Sequence, residues 1–116
     1  VATTTLSQAP SGITVAWETQ GQVYFAGVNQ LKTIVSPEGT ATTRRKNPAV
    51  AVNHRGETLL VWGDGAGFRS GGTLHWQVFD AVGQPTFDES PGTATVPDGS
   101  TPTALARADG AFLVIF

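Results

Sequence analysis

The stretch PAVAVNHRGETLLVW, Pro48 to Trp62, returns as PTALARADGAFLVIF, Pro102 to Phe116, with the same eight-residue step from proline to glycine. A chain that writes one unit twice must build that unit twice, and a unit of this size buries its faces on its neighbours. The likeness extends along the chain. SPEGTAT at Ser36–Thr42 returns as SPGTAT at Ser90–Thr95, and GQVYFAGVN at Gly21–Asn29 returns as GTLHWQVFD at Gly72–Asp80. GITVAW at Gly12–Trp17 corresponds to Gly56–Trp62 and to Gly110–Phe116.

Copies differ where turns are expected. Gly12 to Gly21 is nine residues, whereas Gly56 to Gly72 is sixteen because GDGAGFRSG lengthens one loop. Strands keep their length and surface connections absorb the change. The repeated unit is therefore four strands, in units over residues 6–43 and 48–96 and a partial one over 102–116. Pro10 to Gly12 leaves no room for an AVAV-type strand, so the sequence predicts that the first unit lacks its inner strand. The opening VATTT matches Thr40–Thr43, so the chain is expected to start within the last strand of a preceding unit. No methionine occurs, and Val1 is read as following a longer precursor.

Apolar patterning assigns each strand a place. In ETLLVW both faces are apolar, Leu59 and Val61 on one and Leu60 and Trp62 on the other, which requires cover from both sides. The terminal AFLVIF carries the same pattern. PAVAVN alternates Ala49 and Ala51 with Val50 and Val52, small enough for a crowded place where sheets converge. GTATV and GTATTRRK are Thr-rich and half polar, as outer strands facing water are. With 14 Gly and 7 Pro to supply tight turns, the class is all-β. A small inner strand, apolar middle strands and a polar outer strand, repeated about every fifty residues, predict β-propeller blades. The expected architecture is about two four-stranded antiparallel blades plus the inner strands of a third, within a larger closed propeller. Gly56 and Gly110 are placed where a hairpin needs a left-handed residue.

By P-AVAVN-RGE-LL-W the chain resembles bacterial β-propeller proteins, in particular sialidase-like and related extracytoplasmic propellers. The resemblance covers nearly the whole chain and implies a periplasmic or secreted location. Fold alone does not assign function. The sialidase aspartate box reads S-x-D-x-G-x-T-W, and SPEGTAT and SPGTATV lack its aspartate and tryptophan. That departure argues against hydrolysis by this segment.

Net charge is −2, so no broad basic field collects nucleic acid or anionic lipid. Arg44-Arg45-Lys46 is read as a solvated turn. The chain has no cysteine, which removes disulfides and thiol chemistry, and His54 and His75 stand in no zinc-binding spacing. No cofactor is predicted. Glu18 and Asp64 occupy equivalent strand ends, where turn chemistry accounts for them. The long loop and its flanks supply the candidate ligand contacts: a carboxylate at Asp64, an aromatic face at Phe68, a cation at Arg69, and His75 beside them. Trp17, Trp62 and Trp76 are read as sheet packing. An incomplete ring leaves an apolar blade face open, so Phe112, Leu113, Val114, Ile115 and Phe116 are the candidate interface. The expected role is a non-catalytic binding or scaffolding module that mediates protein–protein assembly. Its partners would be the remaining blades, copies of itself or another subunit. The alternatives are a blade pair of a sialidase-like glycan-processing propeller, and a glycan-binding lectin built from several copies.

Overall fold

The computed structural model describes residues 4–9, 12–27, 45–65, 72–86 and 92–116, and it is all-β across them. Nine strands form three antiparallel sheets among these residues. The first sheet holds β1 (Thr4–Ala9), β2 (Gly12–Thr19) and β3 (Gln22–Gly27) in that order. The second is a four-stranded meander of β4 (Arg45–Val52), β5 (Thr58–Asp64), β6 (Gly72–Phe79) and β7 (Gly92–Val96). The third pairs β8 (Thr103–Ala106) with β9 (Phe112–Ile115).

The two-faced pattern of β5 sets the layering. Leu60 and Trp62 join Val50, Phe79, Ala16, Val23 and Phe25 in one buried cluster, between the first and second sheets. Leu59 and Val61 join Ala49, Leu74 and Val96 in another, onto which Ala104, Phe112 and Val114 pack from the third sheet. The second sheet is thus covered on both sides, as its continuous apolar run requires. Each large apolar side chain buried in these layers contributes about 1.5–3 kcal/mol.

Two expectations meet a different outcome at the start of the chain. Thr4–Ala9 does not belong to a preceding unit; it pairs antiparallel with β2 from Thr4 opposite Trp17 to Ala9 opposite Gly12. The first sheet therefore has a strand before β2, where the short Pro10–Gly12 step predicts none. TTLSQA meets the demand for small residues with Thr5 and Ser7, and the Thr5 hydroxyl donates to the Pro48 carbonyl of β4 at 3.2 Å. A hydroxyl of that size replaces alanine without raising the alternation that AVAV shows. The Thr-rich segment before Arg45 lies outside the described residues, whereas GTATV forms β7 as expected.

Three of the turns share one design, whereas the β2–β3 hairpin closes on two residues, Gln20 and Gly21, with φ of 52° and 74°. Gly56 N–H donates to Asn53 O, Gly83 N–H to Asp80 O, and Gly110 N–H to Arg107 O, each at 3.0 Å. Gly56 and Gly110 take φ of 81° and 89°, the left-handed region expected of them. A Cβ at Gly110 would also stand 2.6 Å from the Arg55 guanidinium. Gly110→Ala is therefore expected to cost about 1–2 kcal/mol, measured as a lowered urea midpoint with unchanged slope.

Candidate functional site

Three features of the described residues carry candidate function: a polar and aromatic row between the first two sheets, a stitch between hairpin turns, and the open face of β8–β9.

The row begins with a β-bulge. The register of β4 on β5 shifts between Lys46 and Ala49, and Asn47 within that shift has φ of 49°. An inserted residue re-aims the side chains on either side of it. Asn47 N–H donates to Glu18 Oε2 at 3.1 Å, which ties the bulge to β2. Arg45 is consequently turned inward and only 6 % exposed, while Lys46 is exposed. The solvated-turn reading of this cationic cluster fails at Arg45. Its Nη1 donates to Gln22 Oε1 at 2.9 Å, its backbone N–H donates to Gly21 O at 3.0 Å, and its guanidinium lies 5.3 Å from the centre of the Trp62 ring. A desolvated cation over indole is a favourable electrostatic contact.

Cross-strand pairing continues the row. Trp62 stands opposite His75, and their rings stack at 5.7 Å with 12° between planes. The first sheet has the same device, with Trp17 opposite Tyr24 and their rings 5.7 Å apart at 23°. Asp64 stands opposite Arg45. Burial lowers the Arg45 guanidinium pKa, with Asp64 opposing the shift. Burial likewise pushes the His75 imidazole below its ordinary value of 6.5, Asp64 opposing and Arg45 reinforcing.

The structure thus brings Asp64 and His75 into one electrostatic neighbourhood and adds Arg45 and Trp62, which the sequence did not single out for this site. Phe68 and Arg69 lie outside the described residues. The sequence signal for Arg45 was the Asn47-Pro48 step. Asparagine tolerates the left-handed region, and a proline entering a strand is found at bulges.

A histidine held below its free value binds fewer protons in the fold than in the unfolded chain. Stability therefore rises with pH across that window. Lowering pH through 6.5 is expected to destabilise the protein, and His75→Gln to flatten that dependence in melts taken at several pH values. Glu57, held below its ordinary 4.5 mainly by the Asn53 and Arg55 hydrogen bonds, acts in a more acidic window. Its contribution is present above that value and is lost only as pH falls through the lower folded one.

The stitch is centred on Asn53, which is 2 % exposed. Its Oδ1 accepts from the N–H groups of Arg55 and Glu57, both at 3.0 Å. Its Nδ2 donates to Glu57 Oε1 at 2.8 Å and to Gly110 O at 3.0 Å. The last bond joins the β4–β5 turn to the β8–β9 turn. Asp80 caps its own turn in the same way, accepting from Val82 and Gln84.

The candidate interface residues divide by strand alternation. Phe112 and Val114 pack inward on the second cluster. Leu113 and Ile115 alternate outward and are 47 and 52 % exposed, Leu105, opposite Leu113, is 49 % exposed, and Phe116, which follows the end of β9, is 54 % exposed. One side of the terminal sheet is therefore apolar and open among the described residues. Compared with known proteins, the chain matches no protein-family model, no curated protein and no solved structure.

Proposed function

We propose that the chain is a run of β-propeller blades serving as a binding and scaffolding module, which docks a polypeptide on the outer side of β8–β9. The observation that carries the reading is the exposure of Leu105, Leu113 and Ile115 together on a sheet whose other side is packed. Apolar side chains grouped in this way mark interaction surfaces, because covering them removes hydrophobic area from water. Support for the blade assignment comes from the roughly fifty-residue repeat, the four-stranded meander of β4 to β7 and the face-to-face layering of successive sheets. Recognition is by shape and apolar contact; the buried Arg45 and Trp62, with the half-buried His75 beside them, hold two sheets together.

A photoreactive residue at position 113, in the protein placed in an extract of its source, tests the reading. The expected result is a covalent adduct with a polypeptide from position 113 and none from the same group at the exposed Asp98. Absence of an adduct at position 113 overturns it.

A further inference from the structure

We propose that Asp98 is a site of spontaneous backbone isomerisation. Its side chain closes on the Gly99 nitrogen to a succinimide and reopens as isoaspartate, a group that a methyltransferase specific for isoaspartyl carboxyls would recognise.

The chain contains three Asp-Gly steps, at 64–65, 98–99 and 109–110. Glycine leaves its own nitrogen unshielded and lets the peptide rotate, which opens an Asp-Gly step to this chemistry. The glycine nitrogen attacks the side-chain carbonyl carbon of the protonated carboxyl. A C–N bond forms, a C–O bond breaks, and the hydroxyl leaves with the amide hydrogen as water. Water then adds back to one of the two ring carbonyls. Opening at the side-chain carbon restores aspartate, whereas opening at the main-chain carbon leaves the chain running through the side chain. One water is lost and one gained, so isoaspartate has the composition of aspartate and no oxidant or cofactor takes part.

The fold distinguishes the three steps by what restrains them. Asp64 is the last residue of β5, with Arg45 opposite it on one strand and Thr73 on the other. Asp109 is tied by its own turn: Oδ1 accepts from Ala111 N–H at 3.0 Å, and Oδ2 lies 3.3 Å from Arg107 Nη2. The nitrogen that would attack there, Gly110 N–H, donates to Arg107 O at 3.0 Å. Gly110 is itself buried, and its carbonyl accepts from Asn53 Nδ2 at 3.0 Å. Ring closure swings the Asp-Gly peptide until its nitrogen faces the side-chain carbon, and at Asp109 that movement breaks these bonds.

The Asp98 turn is held far less. Pro97, Asp98 and Gly99 are all exposed. Among the described residues, no hydrogen bond or ion pair engages the Asp98 carboxylate or the Gly99 N–H. A Cβ placed on Gly99 would meet nothing within 4 Å, so the peptide has room to turn. The bond that spans the turn, Ser100 N–H to Pro97 O, is 3.2 Å long and uses neither reacting group. This turn joins β7 of the second sheet to β8 of the third. Isoaspartate would insert a methylene into that link and leave the former main-chain carboxyl as a charged branch.

The test is to hold the purified, folded chain at neutral pH and physiological temperature for weeks in heavy-oxygen water. Trypsin then puts the three steps on separate peptides, residues 56–69, 70–107 and 108–116, by cutting after Arg55, Arg69 and Arg107. The 70–107 peptide is expected to split into isomers that carry heavy oxygen, with electron-transfer fragmentation placing the change at Asp98. It is also expected to accept labelled methyl from S-adenosylmethionine and an L-isoaspartyl O-methyltransferase. Asp98 should react roughly tenfold or more faster than Asp109 in the folded chain, because the bonds at Gly110 raise the barrier there. In urea sufficient to unfold the chain, the two sites should react at comparable rates. Asp98→Glu, whose longer side chain closes the ring far more slowly, should keep the 70–107 peptide a single species. Equal rates at Asp98 and Asp109 in the folded chain overturn the proposal. So does an unmodified Asp98 in folded protein when the urea sample has reacted, or methyl acceptance by the 70–107 peptide of Asp98→Glu.

Discussion

Replacing Trp62 with alanine is expected to lower stability by about 3–5 kcal/mol, the range for removing a large aromatic from a packed core. Trp62 is 2 % exposed and touches partners of three kinds. It fills the cluster shared by Val50, Leu60 and Phe79 of its own sheet with Val23 and Phe25 of the first sheet. It stacks on His75 and carries the Arg45 guanidinium over its ring. Truncation leaves a cavity at the inter-sheet layer and deprives a desolvated cation of its aromatic partner, so the two losses act together. Thermal melts should show a drop of roughly 10–20 °C. The effect should be greatest for the β1–β3 sheet, because the second cluster, from Leu59 to Val114, does not include Trp62. Hydrogen exchange resolved by segment checks this: faster exchange in β1 to β3 with β8 and β9 little changed is the expected pattern, and uniform loss of protection counts against it.

The second large effect is expected at Asn53. Changing it to alanine removes four hydrogen bonds from a nearly buried side chain. Three of the four bonds are part-buried, so at about 0.5 kcal/mol net per bond, with a further penalty of about 1 kcal/mol for the buried Gly110 carbonyl left without its donor, the expected cost is about 3 kcal/mol. Asn53→Asp is the informative companion. It keeps the acceptor for Arg55 and Glu57 N–H but loses the donor to Gly110, and it sets a second carboxylate beside Glu57. Measured in a Glu57→Gln background, which removes the carboxylate repulsion, Asn53→Asp falls close to Asn53→Ala in urea unfolding if the turn-to-turn bond matters, and stays close to the Glu57→Gln parent if only the local cap matters.

Much of the layering was legible in residue order. The paired faces of β5, Leu59 with Val61 and Leu60 with Trp62, separate into the two clusters as alternation required. The glycines at 56 and 110 occupy left-handed turn positions. The terminal AFLVIF was read as needing cover on both sides, and the structure covers one. Strand β1 is not legible in the sequence because Thr5 and Ser7 carry no apolar signature on the side that faces β4. Arg45 escaped because charge runs are ordinarily solvated. Its burial follows from the bulge at Asn47, whose tie to Glu18 spans 29 residues.

What the sequence determined by itself is strand identity and facing, since the period of two is local and each residue's side of the pleat follows from its neighbours. The repeat determined in addition which strands are counterparts. Only the tertiary structure decided what covers each face: that Thr4–Ala9 joins the first sheet beside β2, that Arg45 lies over Trp62, and that Asn53 reaches Gly110. Those contacts join residues far apart in the chain. Their partners are selected by the way sheets stack, through packing and desolvation that no local pattern encodes.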